Sequence, residues 1–261
     1  MFSWRTSPAA PAGVGVAFTD RHGGASTGPL AGLNLGQTDR DAPGALRANI
    51  DAVCSALGVG RAVTTAQVHG AAVLEVDEAF LSTWGPDAWL GTAVPGQAPL
   101  PVADALVTSL TGIALVVRVA DCVPVVFADA DAGVIGVAHA GRVGLLAGVL
   151  PATLAALVRR GANAERVSVW IGPHICGSCY EVPEKMAQAA EGELPGIACR
   201  TRRGTPALDL GAGAVAQLAG LGVCDVTRVD LCTMESPELF SHRRDGATTG
   251  RQAGLVWRAE G

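Results

Sequence analysis

Three apolar, β-branched runs in the middle of the chain constrain the fold most: Ile113 to Val119, Val123 to Phe127 and Val134 to Ala138. Runs of this composition and length are typical of buried strands. Strand and helix signals alternate around them. Val14 to Phe18, Ala62 to Val68, Ala72 to Val76, Val167 to Ile171, Val226 to Val229 and Leu255 to Trp257 read as further strands. Asp41 to Leu57 reads as a helix that Asp41 could cap, with Pro43 near its start and Leu46, Ile50, Val53 and Leu57 on one face. Gly141 to Arg160 reads as a helix kinked or restarted by Pro151, and Val182 to Glu191 and Gly211 to Leu218 read as helices. Trp84 to Pro101, rich in Gly and Pro, reads as a long loop. The pattern predicts an α/β fold, a mixed α+β layered sandwich, as a single domain over residues 1–261.

Hydrophobic residues make up 49% of the chain and charged residues 16%, which argues against disorder. Aromatic residues are only 4%, so the core is expected to be largely Ala, Val and Leu. A net charge of −5, with no basic run longer than pairs such as Arg202-Arg203 and Arg243-Arg244, argues against nucleic acid as a partner. The longest apolar run, Leu145 to Val158, is broken by Pro151 and falls short of the roughly 18 residues a membrane span needs. Met1 to Pro11 contains no apolar stretch of the secretory kind. Seven cysteines, an odd number, then point to a cytoplasmic, reducing setting with thiols that are free or metal-bound.

Three residues at the ends of apolar strands could carry chemistry. His69 lies in Gln67-Val68-His69-Gly70, Cys122 in Ala120-Asp121-Cys122-Val123-Pro124, and His139 ends Gly136-Val137-Ala138. Two imidazoles and one thiolate suit a zinc ion whose fourth position stays open, the layout of a catalytic site. Zinc would lower the pKa of a bound water to roughly 7. Asp121, beside Cys122, is a candidate general base or outer partner of the metal ligands. Spacing alone leaves a plainer reading open, because the three residues span positions 69 to 139 and form no compact zinc motif. Cys176-Gly177-Ser178-Cys179 is a single CxxC without a second ligand pair and reads as a loop with free thiols, although His174 nearby makes a second metal site conceivable.

The ordered set of motifs is more specific than any one of them. Thr19-Asp20-Arg21-His22-Gly23-Gly24-Ala25-Ser26, Asn34-Leu35-Gly36, Gln67-Val68-His69-Gly70, Ala103-Asp104-Ala105-Leu106-Val107-Thr108, Ala120-Asp121-Cys122-Val123-Pro124, His139-Ala140-Gly141, Ile171-Gly172-Pro173, Cys179-Tyr180-Glu181-Val182, Arg243-Arg244-Asp245-Gly246 and Thr249-Gly250-Arg251-Gln252 follow one another from residue 19 to residue 252. With these the sequence resembles the YfiH-like family, also called laccase-domain proteins, polyphenol oxidases, peptidoglycan editing factors and purine nucleoside phosphorylases. The resemblance implies a YfiH-like fold with one Zn2+ on His69, Cys122 and His139. It implies phosphorolysis of adenosine, inosine, guanosine and methylthioadenosine by inorganic phosphate, together with deamination of adenosine. The helix start at Gly141, with Arg142, Arg243 and Arg244, could hold phosphate. Arg21, Gly24, Ser26 and Asn34 are candidates for contacts to the nucleoside, the glycine loop and Asn34 toward its sugar.

The sequence departs from the family where His139-Ala140-Gly141-Arg142-Val143-Gly144 replaces HAGWRG, which moves the arginine back one residue, or roughly 100° around a helix. His242 also stands where the family has an aromatic residue. Two other activities use the same three residues. One is a copper-dependent polyphenol oxidase, with copper displacing zinc, although five histidines and three methionines are too few for a multicopper cluster. The other is an editing hydrolase of cell-wall precursors with Cys122 as nucleophile and His69 or His139 as base. A non-enzymatic nucleoside-binding module is the remaining alternative.

Overall fold

The central apolar runs are strands, and they divide between two sheets. The computed structural model describes residues 1–6, 13–36, 40–85 and 87–259. In chain order the elements are β1 (Phe2–Arg5), β2 (Val14–Thr19), α1 (Pro43–Leu57), β3 (Arg61–Val63), β4 (Val73–Glu75), α2 (Glu78–Thr83), β5 (Ala105–Thr108), β6 (Ile113–Val119), β7 (Val123–Asp129) and β8 (Val134–Ala140). They continue as α3 (Arg142–Leu146), α4 (Val149–Arg159), β9 (Ser168–Ile171), α5 (Glu184–Glu193), β10 (Ala198–Arg200), β11 (Pro206–Leu208), α6 (Leu210–Gly220), β12 (Asp225–Arg228), α7 (His242–Asp245) and β13 (Gln252–Arg258). One sheet has the order β1-β2-β13-β6-β3 and the other β12-β9-β7-β8-β5-β4, while β10 and β11 form a separate ribbon.

The two large sheets pack face to face. Val16, Phe18, Leu115, Val117 and Val256 of the first meet Leu106, Val126, Ile135 and Val137 of the second. Alternate residues point the other way. Ala17, Val116 and Leu255 carry α1 through Leu46, Val53 and Leu57. Val125, Phe127 and Ala138 carry α4 and α6 through Leu150, Leu154, Leu157 and Ala214. The layers therefore run helix, sheet, sheet, helix, as the mixed α/β sandwich reading requires. Both faces of β6, β7 and β8 are covered, which is why these strands are continuously apolar rather than alternating. Each fully buried Val, Leu, Ile or Phe side chain contributes about 1.5–3 kcal/mol relative to exposure.

Several local expectations change. The helix expected over Gly141 to Arg160 is two helices, and the break falls at Gly148 (φ 85°), not at Pro151. Pro151 sits in the first turn of α4, where its missing N–H leaves no helical bond unmade. Asp41 does not cap α1: the cap position is Ala42, and the Asp41 carboxylate accepts from Ser26 and Asn34 instead. The strand expected from Ala62 ends at Val63 as β3, and β3 and β4 join different sheets. The loop expected from Trp84 contains a 3-10 segment, Ala88–Ala93, anchored by buried Trp89 and Leu90. Strand β1 was not expected and pairs antiparallel with β2. Among the described residues no helix is long and apolar enough to cross a membrane.

Candidate active site

The chain passes from one sheet to the other between β6 and β7, through Ala120-Asp121-Cys122. That crossing brings Cys122 to the end of the second sheet where β8 finishes. Register pairs Pro124 with His139 and Val123 with Ala140, so Cys122 and His139 meet at one end of these two interior strands. His139 lies two residues from Val137 and shares its face, toward the space between the sheets. His69 arrives from the connection between β3 and β4, held in the left-handed region at φ 62°. Its Nε2 is 3.7 Å from Cys122 Sγ, and the rings of His69 and His139 meet edge to face at 4.8 Å. The ligand atoms of His69, Cys122 and His139 all lie within 4.8 Å of one another.

Asp104, just before β5, organises this triad. It is fully buried. Its Oδ1 accepts from His69 N at 2.9 Å and stands 2.8 Å from His139 Nδ1, while Oδ2 accepts from Val68 N at 3.1 Å and Gly70 N at 2.7 Å. One carboxylate thus fixes a strained turn and the orientation of an imidazole. Placing the bond at Nδ1 turns Nε2 of His139 into the site. Burial pushes the Asp104 pKa up, but the His139 and backbone hydrogen bonds outweigh it and hold it below the usual carboxylate value.

Glycines make the close approach possible. A Cβ at Gly141 would stand 2.6 Å from His69 Cδ2 and 3.0 Å from Cys122 Sγ, and one at Gly144 would stand 2.8 Å from the Gly70 carbonyl oxygen. The first turn of α3 can pack on the His69-Gly70 turn only without side chains at these positions.

The side chains of the triad polarise one another. Burial raises the Cys122 pKa, but the charge on His139 and hydrogen bonds from both histidines bring it down to about 6. Burial lowers that of His139, but the Cys122 charge and the Asp104 hydrogen bond bring it up to about 9. A thiolate beside an imidazolium is the form that yields a soft sulfur ligand and a nitrogen ligand once the imidazolium proton leaves. Two imidazole nitrogens, one thiolate sulfur and a carboxylate behind one imidazole fit a three-ligand metal site with an open position.

A cavity of about 520 Å³ opens from the triad, a size within the usual range for small-molecule pockets. Arg118, Arg142, Arg243 and Arg251 line it, with Gln67, Asp121, Tyr180 and His242. Arg118 Nη2 donates to the Thr65 carbonyl, and Gln67 pairs with the Arg118 backbone. Burial, and then the Arg251 charge, pull the Arg118 pKa down to about 10. Arg243 lies 5.0 Å over the Tyr180 ring and donates to the Glu181 carbonyl. Two neighbouring guanidiniums in a partly closed cavity make it electropositive and suited to an anion.

The structure brings only part of the expected residue set to this cavity. His69, Cys122, His139, Asp121, Arg142 and Arg243 line it. Asp121 is not the outer partner of the histidines, because Asp104 holds that place. The Asp121 carboxylate instead accepts from Thr233 Oγ1 at 2.5 Å and Arg243 N at 2.6 Å, and its φ of 88° aims Cys122. Arg244 is not in the lining: its guanidinium donates to the carbonyls of Thr233, Ser236 and Leu239 and pairs with Asp245. Arg21 lies 4.7 Å over the Phe240 ring, outside the cavity. Gly24 packs on the Gly32 backbone, and Ser26 is tied to Asp41 and Asn49. Asn34 is buried and works indirectly, its Oδ1 accepting from the backbone N–H groups of Gly36 and Arg251, which do line the cavity.

Asp104, Gln67, Arg118, Tyr180 and Arg251 were not among the residues singled out. All but Arg118 lie in motif segments quoted above. Arg118 carried its own signal, as the one charge inside the apolar run from Ile113 to Val119.

Residues 15–259 match the family model described as multi-copper polyphenol oxidoreductase laccase. The chain belongs to this family. It is 47% identical to a purine nucleoside phosphorylase of Streptomyces griseus, over 92% of this chain and 93% of the relative. It is 42% identical to a purine nucleoside phosphorylase of Corynebacterium glutamicum, over 92% of each chain. Among solved structures it is similar to YlmD from Geobacillus stearothermophilus, with a TM-score of 0.85, 31% identity, and coverage of 98% of this chain and 94% of that one. The YfiH protein of Bacillus licheniformis gives a TM-score of 0.84 at 26% identity, covering 97% and 98%. As a laccase-family chain, it gathers His69, Cys122 and His139, a group that could hold a metal ion, beside the cavity.

Proposed function

We propose that the protein is a zinc-dependent purine nucleoside phosphorylase that also deaminates adenosine. The observation that carries this reading is the joining of the His69, Cys122 and His139 triad and four arginines in one cavity. Near-full-length similarity to purine nucleoside phosphorylases supports it. Zinc on the triad would supply a Lewis acid and lower the pKa of water at its open position.

The protein's own residues account for binding and positioning. Arg142, Arg243, Arg118 and Arg251 offer charge-assisted donors to inorganic phosphate. Arg142 lies beside Tyr180 and lowers its pKa against the larger, raising effect of burial. It therefore reaches the cavity although it stands one residue earlier than the family's arginine. Tyr180 presents the chain's single tyrosine ring to the cavity, where a purine could pack. In phosphorolysis a phosphate oxygen forms a bond to C1′ of the ribose as the C1′–N glycosidic bond breaks, and the departing purine takes up a proton at nitrogen. Asp104 holds His69 and His139 fixed throughout, so the site is organised before substrate arrives.

One observation favours a second reading. Cys122, His139 and Asp104 stand in the order of a nucleophile, a base and its orienting carboxylate, the arrangement of a cysteine hydrolase such as one editing cell-wall precursors. Chelation separates the two, since a cysteine hydrolase would keep full activity without metal. The copper oxidase reading is weaker on geometry. Among the described residues only His69 and His139 bring histidine nitrogens into one ligand cluster; His242 lines the same cavity without joining it, His22 pairs with Glu238 and His174 is turned to the Gly172 carbonyl.

The decisive experiment incubates zinc-loaded protein with adenosine, inosine or methylthioadenosine, with and without phosphate, and separates the products. Free base that appears only with phosphate, and inosine formed from adenosine, are expected. No free base, no deaminated product and no difference between wild type and Cys122→Ala would overturn the reading. Stoichiometric copper without zinc, in protein from minimal medium, would replace zinc with copper.

A further inference from the structure

The CxxC, which looked isolated in sequence, finds a second pair of ligands through the fold. Cys232-Thr233-Met234-Glu235 is a CxxE turn 56 residues after Cys176. The Sγ atoms of Cys176, Cys179 and Cys232 and a carboxylate oxygen of Glu235 all lie within 4.8 Å of one another. A zinc–sulfur bond of about 2.3 Å gives tetrahedral sulfur–sulfur edges of about 3.8 Å, so small adjustments close the set around one ion. His174 does not join: its Nδ1 faces the Gly172 carbonyl, and its Nε2 packs against Gly211.

The backbone at these turns has the form of a metal knuckle. Cys179 N and Tyr180 N both donate to the Cys176 carbonyl, and Ser236 N donates to the Cys232 carbonyl. Cys176 N points at Cys232 Sγ, 3.4 Å away. Amides aimed at sulfur favour the thiolate form that a metal needs. The cysteines are free rather than paired in disulfides. Three thiolates and a carboxylate would leave a Zn2+ site with a net charge of −2, and Arg202, ion-paired with Glu235, stands against that excess.

We infer that Cys176, Cys179, Cys232 and Glu235 form a second, structural zinc site, separate from the catalytic triad. Four protein ligands close it, with no position for substrate. Its place explains what it would do. Tyr180, next to Cys179, lines the catalytic cavity, and the Glu181 carbonyl holds Arg243. Thr233, next to Cys232, holds Asp121, and the Arg244 guanidinium gathers the carbonyls of Thr233 and Ser236. An ion here would clasp the two turns that form one wall of the cavity. The cluster stands on its own donor atoms and does not depend on the phosphorylase reading.

The test is zinc stoichiometry. Reduced full-length protein is equilibrated with Zn2+, desalted and measured by elemental mass spectrometry. Two zinc ions per chain are expected in wild type. One is expected in the double variant His69→Ala/Cys122→Ala, and one in Cys179→Ser. Should Cys179→Ser fail to fold, Co2+ titration of the double variant decides. With Cys122 gone, Cys176, Cys179 and Cys232 are the cysteines that gather with further ligands among the described residues, so an intense thiolate-to-cobalt charge-transfer band reports the cluster, and it should saturate at one equivalent. A folded double variant that binds no zinc and shows no such band overturns the inference. Wild type with one zinc that persists in the double variant would support this site while removing zinc from the triad.

Discussion

Replacing Asp104 by asparagine keeps its shape yet should disable the site. Oδ1 serves His69 N and His139 Nδ1, and Oδ2 serves Val68 N and Gly70 N. An amide has one acceptor oxygen and one donor nitrogen, so either orientation sets an NH2 against two donors. The milder orientation turns the NH2 toward Val68 and Gly70, whose amides are only partly buried and can recover water. Two hydrogen bonds at about 0.5–1.5 kcal/mol each then put the stability loss at about 1–3 kcal/mol. The His69 turn, held at φ 62° by this carboxylate, should relax first. Zinc affinity at the triad should fall about 10–100-fold, equal to about 1.4–2.7 kcal/mol. Urea unfolding of the metal-free protein measures the first quantity, and chelator competition measures the second. Unfolding free energy within about 0.5 kcal/mol of wild type, with unchanged zinc affinity, would refute the reasoning.

Gly141→Ala should weaken triad zinc binding at least about tenfold, because its Cβ would meet His69 and Cys122. Gly192→Ala, in α5 with open space around it, should leave zinc binding unchanged and raise stability by about 0.5–1 kcal/mol, which thermal melts would show. In metal-free protein, iodoacetamide should alkylate Cys122 with a midpoint near pH 6. The lowered thiol pKa contributes stability above the ordinary thiol value of about 8.5 that is lost as pH falls through about 6. The raised His139 pKa contributes stability below about 6.5 that is lost as pH rises through about 9, so the charged pair persists between about 6 and 9. Arg142→Gln and Arg251→Gln should each raise the KM for phosphate about tenfold with less effect on the nucleoside, whereas Arg21→Gln should change neither in steady-state assays. Arg244→Ala should destabilise by about 2–4 kcal/mol in urea, and Arg244→Lys should not restore it, because one ammonium cannot span the carbonyls of Thr233, Ser236 and Leu239.

Local sequence determined the elements whose cause is local. The runs Ile113 to Val119, Val123 to Phe127 and Val134 to Ala138 are strands because both their faces must be dry, and continuous apolarity records that directly. The α1 helix follows from its apolar period and Pro43. The break between α3 and α4 was misplaced because Pro151 is the stronger local signal, while Gly148 supplies the left-handed turn. The triad was visible as three polar residues at strand ends, but its convergence needed the β7–β8 pairing to set Cys122 beside His139 and the β3–β4 connection, which joins the two sheets, to bring in His69. The same holds for the arginines. Arg243 and Arg244 are neighbours of one type, yet one faces the cavity and the other is consumed by backbone carbonyls. Asp104 and the partners of the CxxC were hidden for the same reason. Hydrogen bonds and metal ligands are short-range contacts between residues 35 or 56 positions apart, and only the folded chain brings them within reach.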